Sequence, residues 1–330
     1  MKVFLTLDYE LFFGDNPGTI EKCMLEPTNL LLDLAEKHKI GMTFFVDAGH
    51  LSRILELKAQ FPQLQAEEDK IIKQLNRILS VGCDIQLHIH PHWEDAKFDG
   101  VKWQMNVGGN YKLSDFSTET AAEIFRKYKR VLEQTITRKV HSFRAGGWCI
   151  QPFMHIKDVM QEEGVRYDTS VFPGGKMITG DYEFDFTKAP KNLGRWKFSS
   201  DECQPDAAGY FTEIPIATYR YNPLFYWELF AWGRIYPSHH KFIGDGNYIP
   251  QPGRRKELLT TFSWNHASLD GYYAKKMKTI CTFYLKQKRT DLVYIGHPKG
   301  LTRYSLSKLD QFIKEMKNKV DFTTFNQLDE

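Results

Sequence analysis

The chain has 330 residues, of which 42% are apolar and 26% charged, the range of ordinary globular proteins with a large core. Its 44 basic and 41 acidic residues give a formal net charge of +3 and are spread along the whole length, so we expect no nucleic-acid partner. No run of about 18 apolar residues occurs, so no transmembrane segment is predicted.

The cysteines and the N-terminal residues both indicate the cellular compartment of the protein. The five cysteines are far apart and form no CxxC pair, which indicates reduced thiols. The first residues lack the pattern of a secretory signal peptide, a charged stretch, then an apolar stretch and a small-residue cleavage site. From these two observations we expect a cytoplasmic protein.

Strand and helix patterns alternate along the first 172 residues. Strands are predicted in KVFLTLD, GMTFFVDAG, CDIQLHIH, HSFRAGG and VRYDTSVF. Helices are predicted in PTNLLLDLAEKHK, EEDKIIKQLNRILSVG, TETAAEIFRKYKRVLEQT, with Thr118 as its cap, and FMHIKDVMQEEG. This order predicts an α/β fold with a parallel sheet and outer helices, either a barrel or an open doubly wound sheet.

The alternation is looser in the next third of the chain. We interpret residues 1–330 as one domain with an insertion at about 174–290, because the pattern resumes in DLVYIGHPKG, SLSKLDQFIKEMKNK and VDFTTFNQL. Within the insertion, a helix is predicted over 269–287. The aromatic stretch YNPLFYWELFAWGRIY, residues 221–236, is expected to form a groove wall or a buried helix; a membrane-surface segment is the alternative.

Polar side chains follow the predicted strands at the point where each strand ends. In α/β barrels and in open α/β sheets, ligands bind at this edge. The residues are Asp8 and Glu10 after the first strand, His88, His90 and His92 after the third, Arg144 after the fourth, Asp168 after the fifth and His297 after the last long strand.

The segment LHIHPHW has the composition of a metal site. His88 and His92 can converge on one ion if the chain turns at Pro91, whereas an extended chain would place His88 and His90 on one face. We favour the pair His88 and His92 and expect His90 to be an orienting or loop residue. Asp8 or Glu10 would supply the anionic ligand and the other carboxylate a general base, which is the arrangement of a hydrolytic site.

An ordered set of motifs resembles the polysaccharide deacetylase family, carbohydrate esterase family 4. The motifs are TLDYE, GMTFFVDAG, DIQLHIHPH, SFRAGGW, YDTSVFPGG, EIPIA, IGHPKG and FTTFNQL, and they extend from residue 2 to about residue 328. The resemblance implies a NodB-like distorted (β/α) barrel of about seven parallel strands. It also implies hydrolysis of N-acetyl or O-acetyl groups on sugars, with zinc or a similar divalent ion.

The resemblance also implies roles for the residues at the strand ends. Asp8 matches the catalytic base, and Arg144 matches the arginine that orients this base, although the proline usual in that motif is missing. His88 and His92 match the paired metal ligands. The family's second acid follows the first directly; here that position is Tyr9, and Glu10 is the nearest replacement as metal ligand.

The remaining motifs give the general acid and the expected substrate contacts. His297 matches the general acid, and Asp168 with Ser170 matches the fourth motif. For substrate binding we expect Asp168, Trp148, Trp93 and Phe13.

Together, these observations predict a zinc-dependent deacetylase that acts on an acetylated sugar or glycan precursor, in surface polysaccharide biosynthesis. Two alternatives stay open. One is a hydrolase of a non-sugar amide or imide on the same fold, and the other is a carbohydrate-binding protein without catalysis.

Overall fold

Buried apolar runs form the strands, and their positions are known from a computed structural model that describes residues 1–180, 182–249 and 253–328. The strands are β1 (Lys2–Tyr9), β2 (Thr43–Asp47), β3 (Asp84–Ile89), β4 (Lys97–Phe98), β5 (Trp103–Gln104), β6 (Ser142–Ala145), β7 (Tyr167–Asp168), β8 (Lys176–Thr179), β9 (Tyr182–Asp185), β10 (Trp196–Phe198), β11 (Phe211–Glu213), β12 (Thr218–Tyr221), β13 (Ser263–His266), β14 (Asp291–Gly296) and β15 (Asp321–Thr323).

The α-helices connect these strands or lie beside them. They are α1 (Glu26–His38), α2 (Ala48–Leu57), α3 (Pro62–Ser80), α4 (Thr118–Ile136), α5 (Lys157–Glu162), α6 (Pro223–Ile235), α7 (Pro237–His240), α8 (Arg254–Thr260), α9 (Met277–Lys286) and α10 (Arg303–Met316). None of these described helices combines the length and apolarity that a membrane span requires.

Seven strands of the main sheet form one continuous parallel row, in the order β11, β7, β6, β3, β2, β1 and β14. The sheet curls until its two ends meet, since parallel bridges join Ile216 to Val293 and Ser268 to Ile295. Antiparallel β10 extends the row beyond β11, and β15 pairs with the beginning of β1. This arrangement confirms the predicted distorted (β/α) barrel and excludes the open doubly wound sheet.

The strand sequences are apolar on both faces because helices cover the outside of the sheet. In β1, Val3, Phe4, Leu5 and Leu7 are all buried. The outer helices are amphipathic, and α3 places Ile71, one of its apolar residues, in the core.

Several local predictions differ from the structure. The N-cap of α4 is Ser117, not Thr118, because the Ser117 side chain accepts a hydrogen bond from the Thr120 N–H at 3.2 Å. The helix predicted from residue 269 begins at Met277, after a 3-10 turn over Gly271–Lys276. Helix α2 was not predicted; its cap is Asp47, which accepts from the Gly49 N–H.

The segment at about 174–290, predicted as an insertion, contributes strands both to the main sheet and to separate sheets. Strands β10 and β11 are part of the main sheet, whereas β8 pairs with β9, and β12 with β13, in separate two-stranded sheets. The predicted aromatic stretch forms α6, with Phe225 and Tyr226 buried and Trp227 exposed. All five cysteines are buried and unpaired, as expected for reduced thiols.

Two acidic residues face each other between β7 and β11. Asp168 and Glu213 are in register and fully buried. Burial raises the pKa of Glu213 well above its ordinary value, and repulsion from Asp168 raises it further. Burial also raises the pKa of Asp168. The folded pair therefore holds a proton more tightly than the same residues do in the unfolded chain.

This proton predicts how the free energy of unfolding depends on pH. Unfolding returns Glu213 to an ordinary pKa near 4.5, so the unfolded chain releases the proton as the pH rises above that value. The free energy of unfolding should therefore fall with pH, by at most about 1.4 kcal/mol per pH unit for one proton. Glu213→Gln should remove most of this slope in urea unfolding between pH 5 and 8. The exposed Glu123→Gln is the matched control, and an equal slope in both variants would contradict the prediction.

Candidate active site

An arginine on β6 fixes the carboxylate at the end of β1. Arg144 is fully buried and donates from Nη1 to Asp8 Oδ1 at 2.5 Å. Its other N–H groups are also used, with Nε donating to the Thr169 carbonyl at 3.0 Å and Nη2 to Thr6 Oγ1 at 2.8 Å. Five N–H groups in a rigid plane leave the guanidinium little freedom. Asp8 therefore keeps one orientation, in which its second oxygen, Oδ2, is 3.7 Å from a ring nitrogen of His297.

Strand alternation brings the second acid to the same side as the first. Asp8 and Glu10 are two residues apart and both approach His88, while Tyr9 between them points elsewhere and donates from its hydroxyl to Gln74 Oε1 at 2.8 Å. An acid at position 9 would therefore point away from the histidines. The spacing of two residues is the one that an extended chain needs here.

Two histidines converge on Glu10. His88 Nε2 is 3.0 Å and His90 Nε2 is 2.8 Å from Glu10 Oε2. The Nδ1–H of His88 donates to the Arg144 carbonyl at 2.7 Å, so Nε2 is the nitrogen that faces the carboxylate. Ligand atoms of Glu10, His88 and His90 all lie within 4.8 Å of one another, which makes them a candidate metal site.

His92 lies outside this group, although the sequence favoured it as a ligand with His88. The backbone stays extended through His90, which keeps His88 and His90 on one face, and turns only at Pro91. The turn places His92 with its ring centroid 4.6 Å from that of Phe13. The structure thus brings together the pair that the sequence left as the alternative.

The electrostatics of the group favour a bound cation. Burial alone would lower the pKa of His88, but the Asp8 and Glu10 carboxylates outweigh burial and raise it to about 9. Burial lowers the pKa of His90 to about 4, which keeps its imidazole neutral. The buried ring nitrogens of His90 and His92 have no hydrogen-bond partner with suitable geometry among the described residues. A divalent ion would give buried imidazole nitrogens a partner, so the residues present fit a metal.

Lys299 was missed as a site residue, although it lies in the quoted motif IGHPKG. It is buried, and its Nζ donates to Glu10 Oε1 at 2.9 Å and to the Leu11 carbonyl. The ammonium also lies over the rings of Phe12 and Phe13. Burial would raise the pKa of Glu10, but Lys299 and the two histidines hold it well below its ordinary value. Glu10 is therefore an anion.

His297 faces the carboxylates through one ring nitrogen. Its Nε2 is 3.7 Å from Asp8 Oδ2 and 3.8 Å from Glu10 Oε1. Its Nδ1 is 2.7 Å from Asp270 Oδ2, and its backbone N–H donates to Asp270 Oδ1 at 2.8 Å. Burial would lower the pKa of His297, but Asp270 and the two nearby carboxylates raise it. Asp270 was missed because its segment pairs with β14 only through a single bridge at Ser268 and so has no strand pattern.

Of the four residues expected to contact the substrate, two lie at the cavity or beside the histidines and two are fully buried. Trp148 lines a cavity that includes His297, and Phe13 is half-buried with its ring 4.2 Å from that of His90. Trp93 is fully buried and donates from Nε1 to Asp47 Oδ2 at 2.6 Å. Asp168 is also fully buried, accepting from the Ser170 hydroxyl and N–H. Neither Trp93 nor Asp168 therefore reaches the cavity, because barrel packing encloses both.

The cavity beside His297 has a volume of about 520 Å³, the size range of ligand pockets. Most of its walls come from α6, α8, β13, the end of α7 and the segments that follow α7 and β13. The lining residues are Trp148, Leu229, Phe230, Gly233, Arg234, His240, Phe242, Tyr248, Arg255, His266, Ser268, Asp270, Gly271, Tyr272, Tyr273 and His297.

Comparison with known proteins gives matches among solved structures alone. No protein-family model matches the chain, and no curated protein matches it. A putative polysaccharide deacetylase from Mycobacterium smegmatis matches with a TM-score of 0.51 and 15% identity, covering 99% of this chain and 88% of that one.

Two further matches have TM-scores below 0.5. The Bc1960 peptidoglycan N-acetylglucosamine deacetylase has a TM-score of 0.44 and 13% identity, over 99% of this chain and 87% of that one. The peptidoglycan deacetylase PdaC from Bacillus subtilis has a TM-score of 0.36 and 14% identity, over 99% and 89%. The match to the Mycobacterium smegmatis structure and the sheet topology of this chain together show the NodB-like fold of the polysaccharide deacetylases, as the motifs predict.

Proposed function

We propose that the protein is a metal-dependent hydrolase that removes N-acetyl groups from a sugar or glycan precursor, in the biosynthesis of a surface polysaccharide. One observation carries the proposal. Asp8, oriented by Arg144, and His297, held by Asp270, face each other 3.7 Å apart beside the group Glu10, His88 and His90. Such an arrangement supplies a base, an acid and a place for a Lewis acid at one point.

Glu10, His88 and His90 would hold the metal, which we propose to be zinc. When bound there, a divalent ion polarises the acetyl carbonyl and the attacking water. Three protein ligands leave coordination positions open, as hydrolytic sites require.

The residues of the chain move the protons. Asp8 Oδ2 takes a proton from the attacking water as its oxygen bonds to the acetyl carbon. His297 Nε2–H donates a proton to the sugar nitrogen as the C–N bond breaks, which releases acetate and an amino sugar. Arg144 and Asp270 act as positioning residues, because each uses hydrogen bonds to fix the group that transfers the proton.

A second candidate, a carbohydrate-binding protein without catalysis, is favoured by Lys299. Its ammonium is 2.9 Å from Glu10 Oε1 and already partly neutralises the carboxylate that would bind a metal. The metal content of the purified protein separates the two candidates.

Acetate release tests the leading proposal. Asp8→Asn should lower acetate release from N-acetylated sugars by about 10²-fold to 10⁴-fold, because the amide accepts no proton. The panel contains free, nucleotide-linked and lipid-linked sugars. Asp158→Asn, at a side chain that is 83% exposed, is the matched control. The proposal fails if no acetylated sugar in the panel gives more acetate with the wild type than with Asp8→Asn.

The metal ligands are tested by paired histidine variants. His88→Ala and His90→Ala should each lose most of the metal that wild type retains after dialysis, because both nitrogens are within 3.0 Å of Glu10. His92→Ala should retain it. Elemental analysis gives the measurement. Metal loss in His92→Ala but not in His90→Ala would instead support the pair favoured by the sequence, and a metal-free wild type would support the second candidate.

Asp270 is tested as a positioning residue. In Asp270→Asn, the partner of His297 Nδ1 is no longer an anion, so the ring loses its preferred protonation and direction. We expect kcat to fall by about 10²-fold or more while KM changes little, since the ground-state contacts remain. Circular dichroism and the melting temperature report on the fold. Equal losses in kcat and affinity, with a lower melting temperature, would indicate a merely structural role.

A further inference from the structure

The cavity beside His297 is lined by two arginines, one from α6 and one from α8. Arg234 and Arg255 both line it, and the Arg255 guanidinium lies 4.7 Å above the ring of Phe230. Phe230 and Arg234 are four residues apart on α6, so they occupy one face of that helix. Arg255 therefore stacks on a ring one helical turn from Arg234, and both arginines line the same cavity.

The carboxylates nearest in sequence do not neutralise these arginines. Helix α6 contains one acid, Glu228, which pairs with Lys275 at 2.5 Å. Helix α8 also contains one, Glu257, which pairs with Arg254 at 2.9 Å. Among the described residues, no carboxylate oxygen is within 4.0 Å of Arg234 or Arg255.

The carboxylate that does line the cavity is engaged elsewhere. Asp270 holds both the ring and the backbone N–H of His297. Two cations that line one cavity, with no carboxylate of the described residues paired to either, attract an anion that enters it. Guanidinium groups match phosphate oxygens in geometry as well as charge.

We propose that the substrate is an acetylated saccharide carrying a phosphate or diphosphate ester, and that Arg234 and Arg255 bind this group. The inference rests on the proposed function, because it assigns a substrate class to that site. A volume of about 520 Å³ has room for a saccharide and a further group. A nucleotide or a lipid could carry the phosphate, and apolar rings such as Phe230 and Phe242 could contact either.

Binding to the full-length Asp8→Asn protein tests the proposal without turnover, with circular dichroism and the melting temperature confirming that this variant is folded. Isothermal titration would compare N-acetylglucosamine with its 1-phosphate, with uridine diphosphate N-acetylglucosamine and with a short-chain polyprenyl diphosphate N-acetylglucosamine. We expect the phosphate-bearing probes to bind at least about 10-fold more tightly than N-acetylglucosamine. Whichever diphosphate probe binds more tightly identifies the source of the phosphate.

Arginine variants locate the binding site. Arg234→Gln and Arg255→Gln, each in the Asp8→Asn background, should each remove most of that preference and leave the affinity for N-acetylglucosamine unchanged. Lys256→Gln is the matched control, since Lys256 is an exposed cation on α8 that does not line the cavity. The titrations are repeated after chelator treatment, because phosphate can also bind a metal; the preference should persist.

Three results would overturn the proposal: equal affinity for neutral and phosphate-bearing probes, tighter binding of the carboxylate-bearing N-acetylmuramic acid, or arginine variants that behave like Lys256→Gln. Failure of the proposed function is distinguishable from these results. A wild type that releases no acetate but shows the arginine-dependent phosphate preference would contradict the function alone, whereas acetate release without that preference would contradict only the inference.

Discussion

The buried ion pair between Arg144 and Asp8 is the interaction on which the site depends. A fully buried guanidinium is tolerated only with its hydrogen bonds satisfied and its charge paired, and Arg144 meets both conditions through Asp8, Thr6 and Thr169. Removing one partner of such a pair costs about 3–5 kcal/mol, because the other is left as an uncompensated buried charge. The pair therefore ties the orientation of the Asp8 carboxylate to the stability of the barrel.

The same arginine connects Asp8 to the candidate metal ligands. Arg144 is opposite His88 in the register between β6 and β3, and its carbonyl accepts the Nδ1–H of His88. Its guanidinium also lies 4.2 Å from the centre of the Phe45 ring on β2. One residue thus sets the direction of Asp8 with its side chain and that of His88 with its backbone.

Much of the fold could be predicted from the sequence, because the parallel strands are continuous apolar runs and the helices have a clear period. The acids and histidines at the strand ends could also be predicted, because they directly follow these apolar runs. The choice between His90 and His92 could not, because it depends on whether the chain turns before or after His90, and Pro91 is compatible with both.

Asp270, Arg234 and Arg255 could not be predicted as site residues either, since tertiary packing brings them to the site without any strand pattern. The burial of Trp93 and Asp168 also depends on packing. Their positions near strand ends gave no indication of which way their side chains point.

The cations around the site fall into two classes with different consequences. Arg144 and Lys299 are buried, and each is paired with a carboxylate. Their positive charges therefore fix Asp8 and Glu10 in place. Arg234 and Arg255 lie on surface helices that line the cavity, where the nearby acids Glu228 and Glu257 pair with other cations. Paired charges of the first class hold the site in one geometry and contribute little net attraction for an incoming anion. The arginines of the second class have no carboxylate partner among the described residues, so in the proposed complex the attraction for a charged ligand comes from the surface helices and not from the barrel.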